Sequence, residues 1–488
     1  MRILMVTPEA NPFARSGGLA EAIYALAQAL VKLKHQVSVV LPLYRQVRES
    51  GRSLNFTGQT LSIPLSWKTL PAEIHEAEMD HLHFYFVGQD ALFNRECLYS
   101  TAYGDFEDNS ERFIFFSRAV VEMLEALKLD FDVLHAHEWQ TGLVPVYLRT
   151  LYHERERFKS LPVLYTVHNV GYQGLFSSFD LPLTGLGWEL LSPKALEFYG
   201  KINFMKGGLV FADLLSTVSA KYREEILTPE YGFGLEGLFQ ERAAELYGIL
   251  EGVDYQRWDP GRDSFLAATY DAKRLKGKKA CKEALARGFD LNLPADRPLV
   301  GMTTRFQERK GLDLVEAILD DLMRLDVGFV LQGTGEERHQ YLLQEMAARY
   351  PGRMGLAIGY SEELAHQIIA GSDLFLMPSR YEPCGLDQLY CLRYGTIPVV
   401  RATGGLDETI QEYDPAAGAG NGFKFTGYTP AEFLGAVQRA LAVYQDHGAW
   451  ETLMRKNMAL DFSWDTVAPK YVELYQLAVD KRRRLLGG

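Results

Sequence analysis

Cysteine is scarce in this chain: four among 488 residues, Cys97, Cys281, Cys384 and Cys391, with no CxxC pair. Neither a disulfide framework nor a zinc knuckle is indicated, and a reduced compartment is the expectation. Basic residues are in deficit, 51 against 63 acidic, for a net charge of −12 at pH 7. That balance argues against a nucleic-acid surface and against anionic membranes. An anionic ligand would therefore have to be met by cations gathered locally against the global sign. No uninterrupted apolar run is long enough to cross a bilayer. The opening MRILMVTPEANPF has a short apolar run broken by proline, so it reads as a first buried strand and not as a signal peptide. A soluble cytoplasmic protein is the expectation. A GKS/T phosphate loop, a GxSxG elbow and an HExxH helix are all missing, and there is no tandem short repeat or low-complexity tract.

What is present is apolar material in quantity, 47% of residues, with 12% aromatic. A chain of 488 residues is long enough for two or three cores. Short apolar strands alternate with helical segments: RILMVT, VSVVLP, DVLHAH and PVLYTVH in the first half, then PLVGMTT, VGFVLQG, MGLAIG, DLFLMP and IPVV. This alternation predicts parallel sheets covered on both faces. Residues 52–87, roughly, alternate apolar and polar side chains and predict antiparallel hairpins inserted in the first sheet. The stretch GVDYQRWDPGRD from Gly252 is rich in Gly, Asp and Pro and reads as a linker. The expected organisation is α/β, with two tandem doubly wound domains: a first over 1–252, a linker over 253–262, a second over 263–463, and a terminal amphipathic helix over 464–488 whose basic end is solvated. Ligands of such folds bind at the carboxyl ends of the strands, and a cleft between two such domains is the natural place for a reaction.

The richest stretch is SRYEPCGLDQLYCLRYGTIPVVRATGGLDETI, residues 379–410. It holds Arg380, Glu382, a Pro-Cys-Gly turn, a helix-length segment, the strand IPVV and a second turn, Thr403-Gly404-Gly405. A glycine turn at a helix start offers bare backbone N–H groups to phosphate or hydroxyl oxygens. An acid beside it suits a polyhydroxy ligand or a developing positive charge. The pattern suggests a sugar-nucleotide site; a plain strand–turn–helix unit would look similar.

Other candidates follow predicted strands. Ala14-Arg15-Ser16-Gly17-Gly18-Leu19 is not GxGxxG, so the dinucleotide fingerprint fails, yet Gly18 at a helix start beside Arg15 suits a diphosphate clamp as well as an ordinary βα loop. In HAHEWQTG, His135 and His137 share a strand face; no third metal ligand is marked by spacing, which favours a structural role. Glu138 and Trp139 fall at that strand's carboxyl end, where the indole either stacks on a sugar or fills core. His168 and Asn169 end the next strand. Arg305 and Lys310 flank a helix start, where paired cations would stabilise a diphosphate leaving group without a metal. Gly335, in Gly333-Thr334-Gly335, could approach a base or ribose. Asp130-Phe131-Asp132 spells DxD but stands at the front of a strand and reads as a turn.

Taken together, SRYEPCGLDQLYCLRYGTIPVVRATGGL, YTVHNVGYQGLF, the string from Arg305 to Leu314, YGFGLEG and EGVDYQRWDP resemble the bacterial glycogen synthase and plant starch synthase family, nearly end to end. The resemblance implies a retaining GT-B glycosyltransferase: two Rossmann-like domains with an interdomain cleft. It implies transfer of glucose from ADP-glucose to the non-reducing 4-OH of an α-1,4-glucan, with no cofactor and no metal. It implies that Arg305 and Lys310 bind the donor phosphates, that Glu382 lies by the transferred glucose, and that the backbone of Cys384, Gly385 and Leu386 contacts its hydroxyls. Thr403, Gly404 and Gly405 would hold phosphate, His168 would meet the 6-OH, and Gly18 would approach the diphosphate. The segment with Tyr103, Asp108 and Asn109 resembles the acceptor side, and the terminal helix would return to the first domain. The implied partners are donor and glucan, in a monomer or small homo-oligomer, without nucleic acid or membrane.

Four positions depart from the family pattern: Arg15 for Lys, Glu21 for Asp, Glu138 for Asp and Glu251 for Asn. No nucleophile paired with a second acid is marked, so same-face attack through an oxocarbenium-like transition state is expected, with the diphosphate helping to deprotonate the acceptor. The alternatives are a related GT-B enzyme with another donor or a small acceptor, and a glucan-binding or priming protein that has lost turnover.

Overall fold

The computed structural model describes residues 1–101 and 104–487. The chain divides into two compact units, Met1–Gly252 with Trp464–Gly488, and Val253–Ser463.

The first unit is built on a nine-stranded sheet. Its spatial order is Leu246–Gly248, Leu214–Thr217, Val163–Val167, Val133–His137, Arg2–Val6, Gln36–Pro42, Leu82–Gly88, Lys68–Met79 and Asn55–Leu65. The first seven are mutually parallel. Their residues are almost wholly buried because helices cover both faces, which is why they read as continuous apolar runs. The predicted hairpins extend the sheet at its edge: Asn55–Leu65 and Lys68–Met79 are antiparallel, while Leu82–Gly88 turns back and pairs in parallel with Gln36–Pro42. Sequence reading missed Leu214–Thr217 and Leu246–Gly248, which are too short to announce themselves.

The helix Trp464–Leu485 packs in this first unit, where it touches the helix Gly18–Lys32. Its Tyr475 hydroxyl lies 2.9 Å from His135 Nδ1. Two of its terminal cations are not solvated. Lys481 Nζ donates to the Asp213 carbonyl at 2.7 Å and pairs with Glu245. Arg482 donates to the Lys159 carbonyl at 2.7 Å and lies 3.5 Å from the buried Asp213 carboxylate. The expectation of a solvated basic end holds for Arg483 and Arg484, which are exposed, but not for Lys481 and Arg482, which are drawn to Glu245, to Asp213 and to backbone carbonyls.

The second unit holds a six-stranded, all-parallel sheet in the order Met354–Ile358, Gly328–Gly335, Leu299–Phe306, Leu374–Met377, Ile397–Arg401 and Phe423–Phe425. Apolar clusters lie against both faces, one around Val315, Phe329 and Phe433, the other around Leu285, Ile369 and Leu389. The stretch 253–262, expected to be a linker, is packed into this unit. Trp258 is 5% exposed and stacks between His366, at 3.6 Å, and Tyr390, at 3.8 Å. Its Gly, Asp and Pro residues make turns, but the indole needs a core and finds one. Among the described residues no helix is long and apolar enough to cross a membrane, and all four cysteines are free thiols.

Removing the Tyr475 hydroxyl leaves His135 Nδ1 buried without that partner. Tyr475→Phe is expected to cost about 1–3 kcal/mol, read calorimetrically as a lower thermal midpoint. An unchanged midpoint would deny the helix this anchoring role.

Candidate active site

Parallel pairing brings the carboxyl ends of the first unit's strands into line. Val6 pairs with Ala136, His137 with Thr166, and Thr217 with both Val167 and Gly248. The residues just beyond these ends therefore converge. Glu9, 4% exposed, receives the Ser16 amide and, at 2.9 Å, the Ser16 hydroxyl; the Tyr99 hydroxyl reaches it at 3.3 Å. This carboxylate pins the turn that starts the helix at Gly18. Arg15 points outward, its amide held by Gln46 at 3.0 Å and its guanidinium 3.7 Å from Glu21.

Glu138 follows its strand with φ +66° and ψ 168°, a left-handed conformation that is costly for a residue with a side chain. The turn is held because Glu138 Oε1 accepts the amides of His168, at 2.5 Å, and Asn169, at 3.0 Å. Burial is the largest influence on this carboxyl and pushes its pKa up to about 7, against the pull of His168 and the two amides. His168 is saturated by protein: Nδ1 lies 2.9 Å from Glu251 Oε1 and Nε2 3.2 Å from His137 Nδ1. Burial opposes its charge, but Glu251, with Glu138 and Glu9, outweighs burial and raises its pKa. Both ring nitrogens of His168 thus face protein groups here, Glu251 on one side and His137 on the other.

Other expectations separate from this centre. Trp139 is 9% exposed and packs against Phe113, Phe176 and Phe204, so it fills core and does not stack on a sugar. Asn109 is buried, accepting from Arg112 at 2.7 Å and donating to the Tyr99 carbonyl at 2.9 Å, which makes it a structural residue. Asp108 forms a two-pronged pair with Arg95 at 2.6 and 2.8 Å. Tyr103 lies outside the described residues. The rings of His135 and His137 touch, 3.8 Å apart and tilted by 40°, and among the described residues no three His, Cys, Asp or Glu side chains come together in a way that could hold a metal.

In the second unit the centre is an ion pair. Lys310 Nζ lies 2.5 Å from Glu382 Oε2, and the Ser379 hydroxyl donates to the same oxygen at 2.9 Å. Gly311 sets this contact. Its φ is +76°, and a Cβ there would stand 2.1 Å from the Pro378 carbonyl oxygen, so the backbones on either side of the pair touch. Burial lowers the Lys310 pKa, partly offset by Glu382. For Glu382 burial acts upward, but the charges of Lys310 and Arg309 win and hold it below the usual carboxylate range. Arg305 stands exposed near the end of the strand Leu299–Phe306, across from Thr334 and next to Gly335, whose missing Cβ admits the Phe306 carbonyl.

The glycine turns belong to this assembly in an unexpected way. A Cβ on Gly404, with φ +47°, would lie 2.0 Å from the Glu382 carbonyl oxygen, and one on Gly405 would lie 1.9 Å from that of Cys384. The Gly405 amide is not bare: it donates to the Glu382 and Pro383 carbonyls at 3.2 and 3.1 Å. The turn after the buried Thr403 therefore supports Glu382 from behind. Gln388 Nε2 donates to the carbonyls of Cys384, at 3.1 Å, and Gly385, at 2.9 Å, fixing the turn that runs through Leu386 into the helix Asp387–Tyr394. Glu9, Arg309 and Ser379 were missed by sequence reading. Only their neighbourhood, just past strand ends or beside Lys310 and Glu382, could have signalled them.

Two such sheets, with an acid, cations and glycine turns at strand ends, define a GT-B glycosyltransferase. Residues 2–241 match the starch synthase catalytic domain and residues 287–452 the glycosyl transferases group 1 domain. The chain is 46% identical over 484 residues to a glycogen synthase of Koribacter versatilis (strain Ellin345), covering 99% of each. It is 43% identical to one of Moorella thermoacetica, covering 99% of this chain and 98% of that one. The catalytic domain of starch synthase IV from Arabidopsis thaliana, bound to ADP and acarbose, superimposes with a TM-score of 0.91 at 32% identity, covering 98% and 99% of the two chains. Sucrose-phosphate synthase from Thermosynechococcus elongatus, at 17% identity and a TM-score of 0.62, shares the fold. The chain belongs to the glycogen and starch synthase family.

Glu138 supplies a pH test. Its pKa rises from 4.5 in the unfolded chain to about 7 in the fold. Stability from this group is complete below the unfolded value and is lost as pH rises through the folded one. Glu138→Gln, which does not titrate, should therefore gain in thermal midpoint relative to the parent as pH is raised from acid to mildly alkaline. A constant difference across that range would contradict the shift.

Proposed function

We propose that the enzyme transfers glucose from ADP-glucose to the non-reducing 4-OH of an α-1,4-glucan with retention of the α configuration, without cofactor or metal. The observation that carries this reading is the Lys310–Glu382 pair, 2.5 Å apart, its carboxylate buried and Arg309 beside it. A lysine already neutralised by a carboxylate is a resting arrangement. An arriving diphosphate draws Lys310 and Arg305 to its oxygens, and Glu382 then faces the sugar. The bond from C1 to the phosphate oxygen breaks with its electron pair on the departing ADP. The acceptor 4-oxygen bonds to C1 from the same face, and its proton passes to the ADP oxygen. Cations aimed at the charge that grows on the leaving group stabilise it most in the transition state. The family supports the glucan acceptor, and the ADP held by the Arabidopsis enzyme supports the donor. We place the enzyme in the cytoplasm, as a monomer or small homo-oligomer.

The decisive experiment measures release of the nucleoside diphosphate with ADP-glucose or UDP-glucose, each with and without glycogen. ADP release that depends on glycogen is expected; preference for UDP-glucose or for a small acceptor would overturn the donor or acceptor assignment. Lys310→Ala should lower turnover at saturating donor roughly 100-fold or more. Near-normal turnover in that variant would remove the lysine from the mechanism.

A further inference from the structure

Glu251 lies just beyond the strand Leu246–Gly248 and is 7% exposed. Its carboxylate meets His168 Nδ1 at 2.9 Å, while His168 Nε2 faces His137 Nδ1 at 3.2 Å. If His168 carries both ring protons, Nδ1–H donates to Glu251 and Nε2–H donates to His137, which then keeps its own proton on Nε2. His137 Nε2 is a buried atom with no protein partner. The groups around the ring favour this arrangement. Three carboxylates act on it from three loops, Glu251, Glu138 and Glu9, and the buried imidazoles of His137 and His135 lie close by.

We propose that Glu251 is a positioning residue for glucosyl transfer: its carboxylate clamps the His168 ring as a doubly protonated cation and fixes its orientation at the end of the strand Val163–Val167. The proposal rests on the reading of function given above. The amide expected at this position from the family resemblance has no charge with which to do this, so the clamp is a property of this chain. The raised pKa of His168, and the values of His135 and His137 held well below the ordinary one by burial, agree with a single cation on His168.

A raised imidazole pKa means that the cation persists as pH rises and is lost through the folded value, so the clamp should shape the alkaline limb of the pH profile. The test uses the full chain with labelled histidine, the His168 signal being assigned by its loss in His168→Asn. His168 is expected to titrate above the ordinary imidazole value of 6.5. Glu251→Gln should lower that midpoint by about one pH unit and move the alkaline limb of kcat to lower pH by a similar amount, with little change in KM for the donor. Glu251→Asp, which keeps the charge, should restore much of the profile. A midpoint or a kcat profile unmoved in a folded Glu251→Gln protein would overturn the proposal. If the titration shifts as expected but the parent enzyme transfers no glucose at any pH, the functional reading fails and the histidine–carboxylate pair survives as a structural feature only.

Discussion

A half-buried lysine held against a buried carboxylate is the constraint on which the second unit depends. Lys310 and Glu382 come from two different strand-to-helix connections and meet at 2.5 Å. The carboxylate alone in this environment would be expensive, because a buried charge without its partner is left uncompensated. The surrounding backbone keeps them together. Gly311 lets its connection lie on Pro378, and Gly404 and Gly405 let theirs lie on the backbone of Glu382 to Cys384. The glycines serve this contact first, since any Cβ would push the acid away from the lysine.

The first unit solves a related problem with histidine and carboxylate. Glu9 and Glu138 are both turned inward to accept backbone amides, one from the turn at Ser16, the other from His168 and Asn169. Those bonds hold turns that the backbone alone would not choose, most plainly the left-handed conformation of Glu138. The terminal helix adds a support: Tyr475 holds His135, which packs against His137, which faces His168. A residue near the end of the chain thus contributes to the environment of an imidazole close to its middle.

Much of the architecture was legible because it rests on local rules. Apolar runs such as RILMV, VLYTV and LFLM have few ways to satisfy both their side chains and their backbone except as buried parallel strands. Glycine turns after strands marked the strand ends near which Glu382, Lys310 and His168 all stand. Partnership was not legible. Trp139 could have been a sugar platform or core and is walled in by phenylalanines; Trp258 looked like part of a linker and is a stacked anchor. Both indoles were judged from neighbours in sequence, whereas their neighbours in space come from elements distant along the chain.

The alternation of strands and helices, the two-unit organisation in outline and the chemical types gathered at strand ends were legible in the sequence alone, because periodicity and turn chemistry act over a few residues, and the family was legible in its motifs. Only the tertiary structure decided that Gly405 spends its amide on a carbonyl, that Glu251 holds the His168 ring, and that Lys481 and Arg482 are anchors and not surface charge. Each of these depends on a hydrogen bond or charge between segments far apart in the chain, and such a bond exists only once packing has excluded the water that would otherwise satisfy both partners.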